Sequence, residues 1–275
     1  MTPLTDSENE LATALQRAID REELTLLYQP KIAFESGSVV GVEALTRWES
    51  HASGPIDPST FIPLAERSGL IDGLTDWVLA TALKQWVVWR DQGVMMNIAV
   101  NVSALTLRDV EFPDLLQRRC QVEGVPCEQI TIELTEGATQ HVVRLLDTLT
   151  RFRLKGVRVA LDDFGTGYSS LLQLRQLPFS ELKIDQSFVE DLTSAEESRL
   201  IVKSVIDLAH ALGLTAVAEG VETLEALELL ASLGCDQVQG FWIARPMRGA
   251  ELVPWMMQTS EKWRHYQAGQ ARIAS

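Results

Sequence analysis

Eight short runs of β-like character, most of them separated by helical patterns, limit what this chain can fold into more than any other feature. The runs cover 24–28, 39–45, 97–103, 129–134, 157–162, 181–185, 214–219 and 236–240. Apolar residues at helical spacing lie between most of them, over 72–92, 107–122, 136–155, 196–212 and 223–233, with shorter stretches at 61–68 and 169–176. One helix leads in over 8–20 and another is expected from 248 to about 266. Alternating strands and helices with eight strands predict an α/β fold, a TIM-like (β/α)8 barrel in a single domain. The first two runs break the alternation. Only Glu35-Ser36-Gly37-Ser38 and their neighbours separate them, too short a link for a crossover helix. They are expected to form a hairpin, leaving one antiparallel strand in the barrel. No low-complexity linker or internal repeat divides the chain. The expected organisation is a frayed N-terminus over 1–8, the barrel over 9–255, and a helix end and tail over 256–275, with Trp263 and Tyr266 in that tail.

Side-chain parity along the runs points to where chemistry sits. In the second run Val40, Val42 and Ala44 oppose Gly41, Glu43 and Leu45. In the third, Ile98, Val100 and Val102 oppose Asn97, Ala99 and Asn101. Ile130, Ile132 and Leu134 oppose Thr131 and Glu133; Val157, Val159 and Leu161 oppose Arg158, Ala160 and Asp162. Leu182 and Ile184 oppose Glu181, Lys183 and Asp185. A barrel strand turns its apolar face outward onto helices and its alternate face inward. Small residues inside, with polar ones towards the carboxyl ends, describe an active-site floor at the top of a barrel.

The polar positions collected in this way are Glu43, Asn101, Glu133, Asp162, Asp163, Lys183, Glu219 and Gln239. Carboxylates converging on one mouth repel each other and resist burial unless cations neutralise them. The four histidines are scattered and the three cysteines show no paired metal-ligand spacing, so oxygen ligands, and with them Mg²⁺ or Mn²⁺, are favoured. The adjacent Asp162-Asp163 pair suits two ions, which clamp the attacking and leaving oxygens of a phosphoryl displacement. Lys183 in that ring can offset charge, orient an attacking water or stabilise a developing oxyanion. Gly165 and Gly167 follow the aspartates directly. Taken alone, that loop reads equally well as a turn capping the next helix through Ser169 or Ser170.

Composition removes several classes. The formal net charge of −14 gives no basis for binding a nucleic-acid polymer or an anionic membrane without a basic patch. The densest basic stretch, Arg151 to Lys155, falls late in a helical pattern where cations suit the helix dipole. The N-terminus is polar and acidic, which is not a signal peptide, and the most apolar stretch, around Trp77 to Trp89, is broken by Lys84 and Gln85. A cytoplasmic protein with idle thiols at Cys120, Cys127 and Cys235 is expected.

Several ordered motifs resemble one family. Glu43-Ala44-Leu45 with Thr46-Arg47-Trp48 is similar to the EAL signature, preceded by Tyr28-Gln29-Pro30-Lys31. Asn101-Val102-Ser103, Glu133-Leu134-Thr135-Glu136, Asp162 through Ser170, Leu182-Lys183-Ile184-Asp185, Ala218-Glu219-Gly220-Val221-Glu222-Thr223 and Gln239-Gly240 follow in the family's order. The resemblance to EAL-domain cyclic di-GMP phosphodiesterases implies a metal-dependent hydrolase of bacterial second-messenger signalling that opens cyclic di-GMP to linear pGpG. It implies that Glu43, Asn101, Glu133 and Asp162 hold one ion, and that Asp162 bridges to a second held with Asp163. Glu219 and Lys183 manage the attacking water, with Glu219 completing the ligand set. Gln29, Leu45, Arg47, Gln239 and Pro246 contact substrate or support its pocket, and Glu136 and Glu222 position the glycine loop. Family members commonly dimerise around that loop, so a homodimer is expected. Leu105 and the Phe241-Trp242-Ile243-Ala244 stretch before Arg245-Pro246 depart from the usual residues without removing a ligand. No stretch reads as an attached sensory or cyclase domain, so regulatory input and protein partners stay unassigned. Two rival readings are a non-catalytic cyclic di-GMP receptor of the same fold and an unrelated sugar-phosphate barrel. The intact ligand set and loop favour catalysis over the first. The histidine-free acidic set, with no glycine-rich phosphate cup in the last strand loops, counts against the second.

Overall fold

The computed structural model describes residues 4–21, 23–50, 54–137, 142–165 and 171–259. Ten strands occur among them: β1 (Leu24–Ala33), β2 (Val39–Ser50), β3 (Gly54–Ile56), β4 (Asn97–Asn101), β5 (Ile130–Thr135), β6 (Arg158–Phe164), β7 (Glu181–Ile184), β8 (Thr215–Ala218), β9 (Gln237–Val238) and β10 (Met247–Arg248). Eight of them close on themselves in the order β1-β9-β8-β7-β6-β5-β4-β2, with β2 returning to β1. Seven run parallel; β1 is antiparallel to both β2 and β9. The chain is thus a TIM-like barrel with one reversed strand, as the short link after β1 requires. The two strands that the sequence did not foretell, β3 and β10, pair antiparallel outside the ring on β2 and β1. At three and two residues they are too short to show a period.

Around the ring lie α1 (Asp6–Asp20), α2 (Pro58–Ser68), α3 (Ile71–Asp91), α4 (Phe112–Glu123), α5 (Val142–Leu154), α6 (Leu171–Gln176), α7 (Gln186–Glu190), α8 (Glu196–Ala211) and α9 (Leu224–Leu233). Helical backbone also covers 249–259; the rest of the expected terminal helix, with Trp263 and Tyr266, lies outside the described residues. Local chemistry sets the helix starts. Thr5 and Glu8 form a reciprocal capping box, so α1 begins at Asp6 rather than residue 8. Pro113 stands in the first turn of α4, and 106–108 forms a separate 3-10 turn, so the helix expected from 107 starts at Phe112. None of the helices described is long and apolar enough to cross a membrane.

The core lies between helices and the outer faces of the strands. Val42, Ile98, Ile132, Val159 and Leu182 are fully buried there, each contributing about 1.5–3 kcal/mol by leaving water. Trp86 and Trp89 of α3 join them, and Trp89 meets Tyr28 of β1 edge-on at 4.9 Å. Inside the ring the residues are small: Gly41, Ala99 and Ala160, with Thr131 donating its hydroxyl to Asn97 Oδ1 at 2.8 Å. A Cβ at Gly41 would stand 3.0 Å from the Asn97 carbonyl oxygen. These small residues leave the barrel axis to long charged side chains. β1 carries Pro30 where its second partner changes from β10 to β9, a gap in which a missing N–H costs no ladder bond.

Candidate functional site

Lys183, near the carboxyl end of β7, is the centre of the barrel mouth. Its Nζ lies 2.6 Å from Glu219 Oε1, 2.9 Å from Glu133 Oε2, 3.1 Å from Asp162 Oδ2 and 3.6 Å from Glu43 Oε2. These carboxylates come from β2, β5, β6 and the residue after β8, so four separate strands aim them at one point. One ammonium against four carboxylates leaves a surplus of negative charge at a largely buried place.

The carboxylates are held in turn. Asn101 Nδ2 donates to Glu43 Oε1 and Gln239 Nε2 to Glu43 Oε2, each at 2.7 Å. Gln239 Nε2 also donates to Gln29 Oε1 at 3.0 Å, and Gln29 Nε2 to the Ala244 carbonyl at 3.1 Å. Both ends of the Gln29 amide are therefore engaged within the wall. Gly240 follows Gln239 at a point where any Cβ would stand 2.2 Å from the Val221 backbone, so only glycine lets this wall close.

Asp163 reaches the mouth by a different route. Neighbours on a strand point to opposite faces, which should separate Asp162 from Asp163. The β6–β7 register slips between Leu161 and Phe164, and Asp163 takes a left-handed φ of 56°. This bulge brings both aspartates to one side. Their oxygens fall into two groups, Glu43–Glu133–Asp162 and Asp162–Asp163–Glu219, with the ligand atoms of each within 4.8 Å of one another. Asp162 belongs to both.

Burial raises the proton affinity of the site, unevenly. It pushes the Glu133 carboxyl up to about 7 despite Lys183 and Lys31 beside it. It lifts Asp163 to about 6, with Asp162 and Asp185 adding to it, and carries Glu219 well above the carboxylate range. Glu43 is buried too, but Lys183 and the Gln239 and Asn101 amides outweigh that and hold it below its usual value. Burial works against the charge of Lys183, yet the four carboxylates keep it firmly protonated. An all-oxygen, net-anionic donor set of this kind fits divalent cations with oxygen preference.

Two cavities flank the cluster. One, of about 280 Å³, is lined by Gln29, Arg47, Glu222, Gln239, Phe241 and Pro246, among others. The other, of about 530 Å³, adjoins Asn101, Ser103 and Glu133. Leu45 and Arg47 line both. The Arg245 guanidinium stacks 4.3 Å from the Phe241 ring centre at the rim. Beside the mouth, Gly165 N–H donates to Glu136 Oε2 at 3.1 Å. Gly165 has a φ of 103°, and a Cβ there would meet the Phe188 ring at 2.7 Å. Glu222 is exposed, and the segment it was expected to position, 166–170, lies outside the described residues.

An EAL domain model matches residues 12–246. The chain belongs to the EAL domain family. Among curated relatives of this EAL domain, the bifunctional diguanylate cyclase/cyclic di-GMP phosphodiesterase MucR of Pseudomonas aeruginosa is 41% identical over 246 residues, 89% of this chain and 36% of its own. The cyclic di-GMP phosphodiesterase PA2567 of the same organism is 39% identical, over 90% of this chain and 42% of its own. The domain thus spans well under half the length of these relatives. The solved PaMucR phosphodiesterase in complex with c-di-GMP has a TM-score of 0.84 and 41% identity, covering 88% of this chain and 99% of that one.

Two further inward charges stand outside the collected site residues: Lys31, beyond the first run, and Glu181, which parity places inward. Lys31 of β1 and Glu181 of β7 lie beneath the cluster, 2% and 3% exposed. The alternation of Gln29 and Lys31 carries the signal for the first, which the run at 24–28 stops short of.

Proposed function

We propose that this EAL domain hydrolyses one phosphodiester of cyclic di-GMP, giving linear pGpG, with two Mg²⁺ or Mn²⁺ ions sharing Asp162. The observation that carries this reading is the membership of Asp162 in two adjoining acidic groups. Glu43, Asn101, Glu133 and Asp162 would hold one ion, and Asp162 and Asp163, with Glu219, the other. Bound there, the ions would neutralise phosphoryl charge and make water a better nucleophile at neutral pH.

The chain's own residues do the rest. Glu219, 2.6 Å from the Lys183 ammonium, orients the attacking water and takes up its proton, and Lys183 keeps Glu219 aimed. Water adds to phosphorus, the bond to one ribose 3′ oxygen breaks, and that oxygen leaves with the proton that Glu219 took from the water. Arg47 offers a cation to the phosphate. The two cavities that share Leu45 and Arg47 suit a ligand with two nucleoside halves, and Gln29, Gln239 and Pro246 shape the wall of one. Glu136, through its bond to Gly165, and Glu222 would set the loop beside the second ion. The activity named for MucR and PA2567 and the ligand of the PaMucR complex support this choice of substrate.

The reading extends to a cytoplasmic homodimer. Leu171, Leu172, Leu200 and Ile201 are 40–63% exposed and lie on α6 and α8, beside the end of β6. Leu171, Leu200 and Ile201 line one groove with Phe164, and an exposed apolar surface of this kind supports a partner contact; sedimentation showing only monomer would remove that part. The central test is turnover of cyclic di-GMP by the purified protein. Mg²⁺ and Mn²⁺ should support it and Ca²⁺ poorly, because Ca²⁺ prefers more ligands at longer distances. Undiminished turnover in excess chelator would exclude the metal reading.

A further inference from the structure

We infer that Lys31 is a positioning residue for the metal site, acting on Glu133 from below and kept neutral overall by Glu181. The inference rests on the two-ion reading above and concerns side chains that reading does not use. Lys31 Nζ lies 3.4 Å from Glu133 Oε1 and 3.2 Å from Glu181 Oε2. The other Glu133 oxygen, Oε2, lies 2.9 Å from Lys183. The two oxygens of one fully buried carboxylate are therefore divided between two lysines on opposite sides. Lys31 holds Oε1 toward the barrel floor. Oε2 is thereby turned to the side on which Glu43 and Asp162 stand.

A buried ammonium–carboxylate pair is a costly way to fill a barrel axis. Apolar side chains of similar volume do so as well or better, because the pair's attraction only partly offsets the loss of hydration. Lys31 and Glu181 are at 2% and 4% side-chain exposure, so that cost applies in full. What the pair supplies, and methionine cannot, is a directed donor under a carboxylate ligand. Partners of this kind fix the orientation of a ligand, and their loss costs about 10–100-fold in metal affinity or activity. Glu181 has its own part. A lone ammonium beneath the site would repel incoming cations, and the Glu181 carboxylate cancels that charge while leaving the Nζ–Glu133 contact in place.

The test is binding of Mn²⁺ alone to nucleotide-free protein, followed by calorimetry or by the loss of the free-ion resonance signal. K31M/E181M removes both charges of the pair together, and Glu133 keeps Lys183 on its other oxygen. It should fold, and bind Mn²⁺ about 10–100-fold more weakly. E181Q keeps the shape and Lys31 but removes the cancelling charge, and should also bind more weakly. A folded double variant with the wild-type isotherm overturns the inference. If the double variant does not fold, E181Q decides alone, and a wild-type isotherm there overturns it equally. Failure of the wild-type protein itself to bind Mn²⁺ would instead remove the metal reading, and this inference with it.

Discussion

The mouth and the floor of the barrel both bury charged side chains, yet their charges are balanced differently. At the mouth four carboxylates stand within 3.6 Å of the single Lys183 ammonium. On the floor Lys31 sits between Glu133 and Glu181, and Arg158 lies beyond Glu181 at 3.9 Å. Anion and cation alternate there, and nothing further is required for neutrality. A balanced buried pair can serve a fold indefinitely, whereas a surplus of buried anions is tolerated only by taking up protons or cations. Burial raises the proton affinity of Glu133, Asp163 and Glu219, and the carboxylates beside them add to it. Burial alone therefore does not distinguish scaffold from site here. The charge balance does.

The largest expected effect comes from breaking the mouth at its shared residue. Asp162→Ala removes an oxygen from both acidic groups and should lower turnover by more than the roughly 10²–10³-fold that losing one oxyanion donor costs. It also relieves repulsion among the carboxylates, so the metal-free protein should melt within about 2–4 °C of the wild type, a change of about 1 kcal/mol. A variant retaining a tenth of the activity, or one that fails to fold, would mean that Asp162 is scaffold like the floor.

Glu219→Gln should come next, and it divides the mouth into holding and reacting parts. The amide is nearly isosteric but cannot accept a proton from water. Cyclic di-GMP should still bind while hydrolysis falls by about 10²-fold or more, measured by equilibrium binding beside turnover. Affinity collapsing together with the rate would make Glu219 part of the binding wall.

The contrast between the two regions was only half visible in the sequence. Strands in a barrel keep a period of two, so Glu43, Glu133 and Lys183 could be placed on one inner face by counting. Asp163 could not be placed by parity, because its position depends on a bulge whose left-handed residue is not a glycine. Lys31 was lost for another reason. Pro30 reads as a strand breaker, whereas β1 runs on to Ala33 through the gap between two partners. Glu181 lay on the inner face by parity, but in its strand it precedes Lys183, at the end away from the mouth. Two-residue strands such as β9 and β10 carry no period at all, and their register comes from their neighbours.

The smallest expected effect lies at the outer rung of the floor. Arg158 opens β6 on the same inner face as Ala160 and Asp162, so by sequence it ranks with the site residues. Its side chain is 49% exposed, and its guanidinium reaches Glu181 Oε1 only at 3.9 Å. An ion pair so long and so wet is worth about 0–1 kcal/mol and is weakened further by salt. Glu181 already has Lys31 at 3.2 Å, a shorter contact out of water. Arg158→Ala should therefore change stability by less than about 1 kcal/mol and leave both turnover and the Mn²⁺ isotherm as they are. Denaturant melts and metal titrations of the one variant would measure this. If Arg158→Ala weakened Mn²⁺ binding as much as E181Q, Glu181 would depend on Arg158 for its place beside Lys31, and the floor pair would not be the self-contained unit that sets it apart from the mouth.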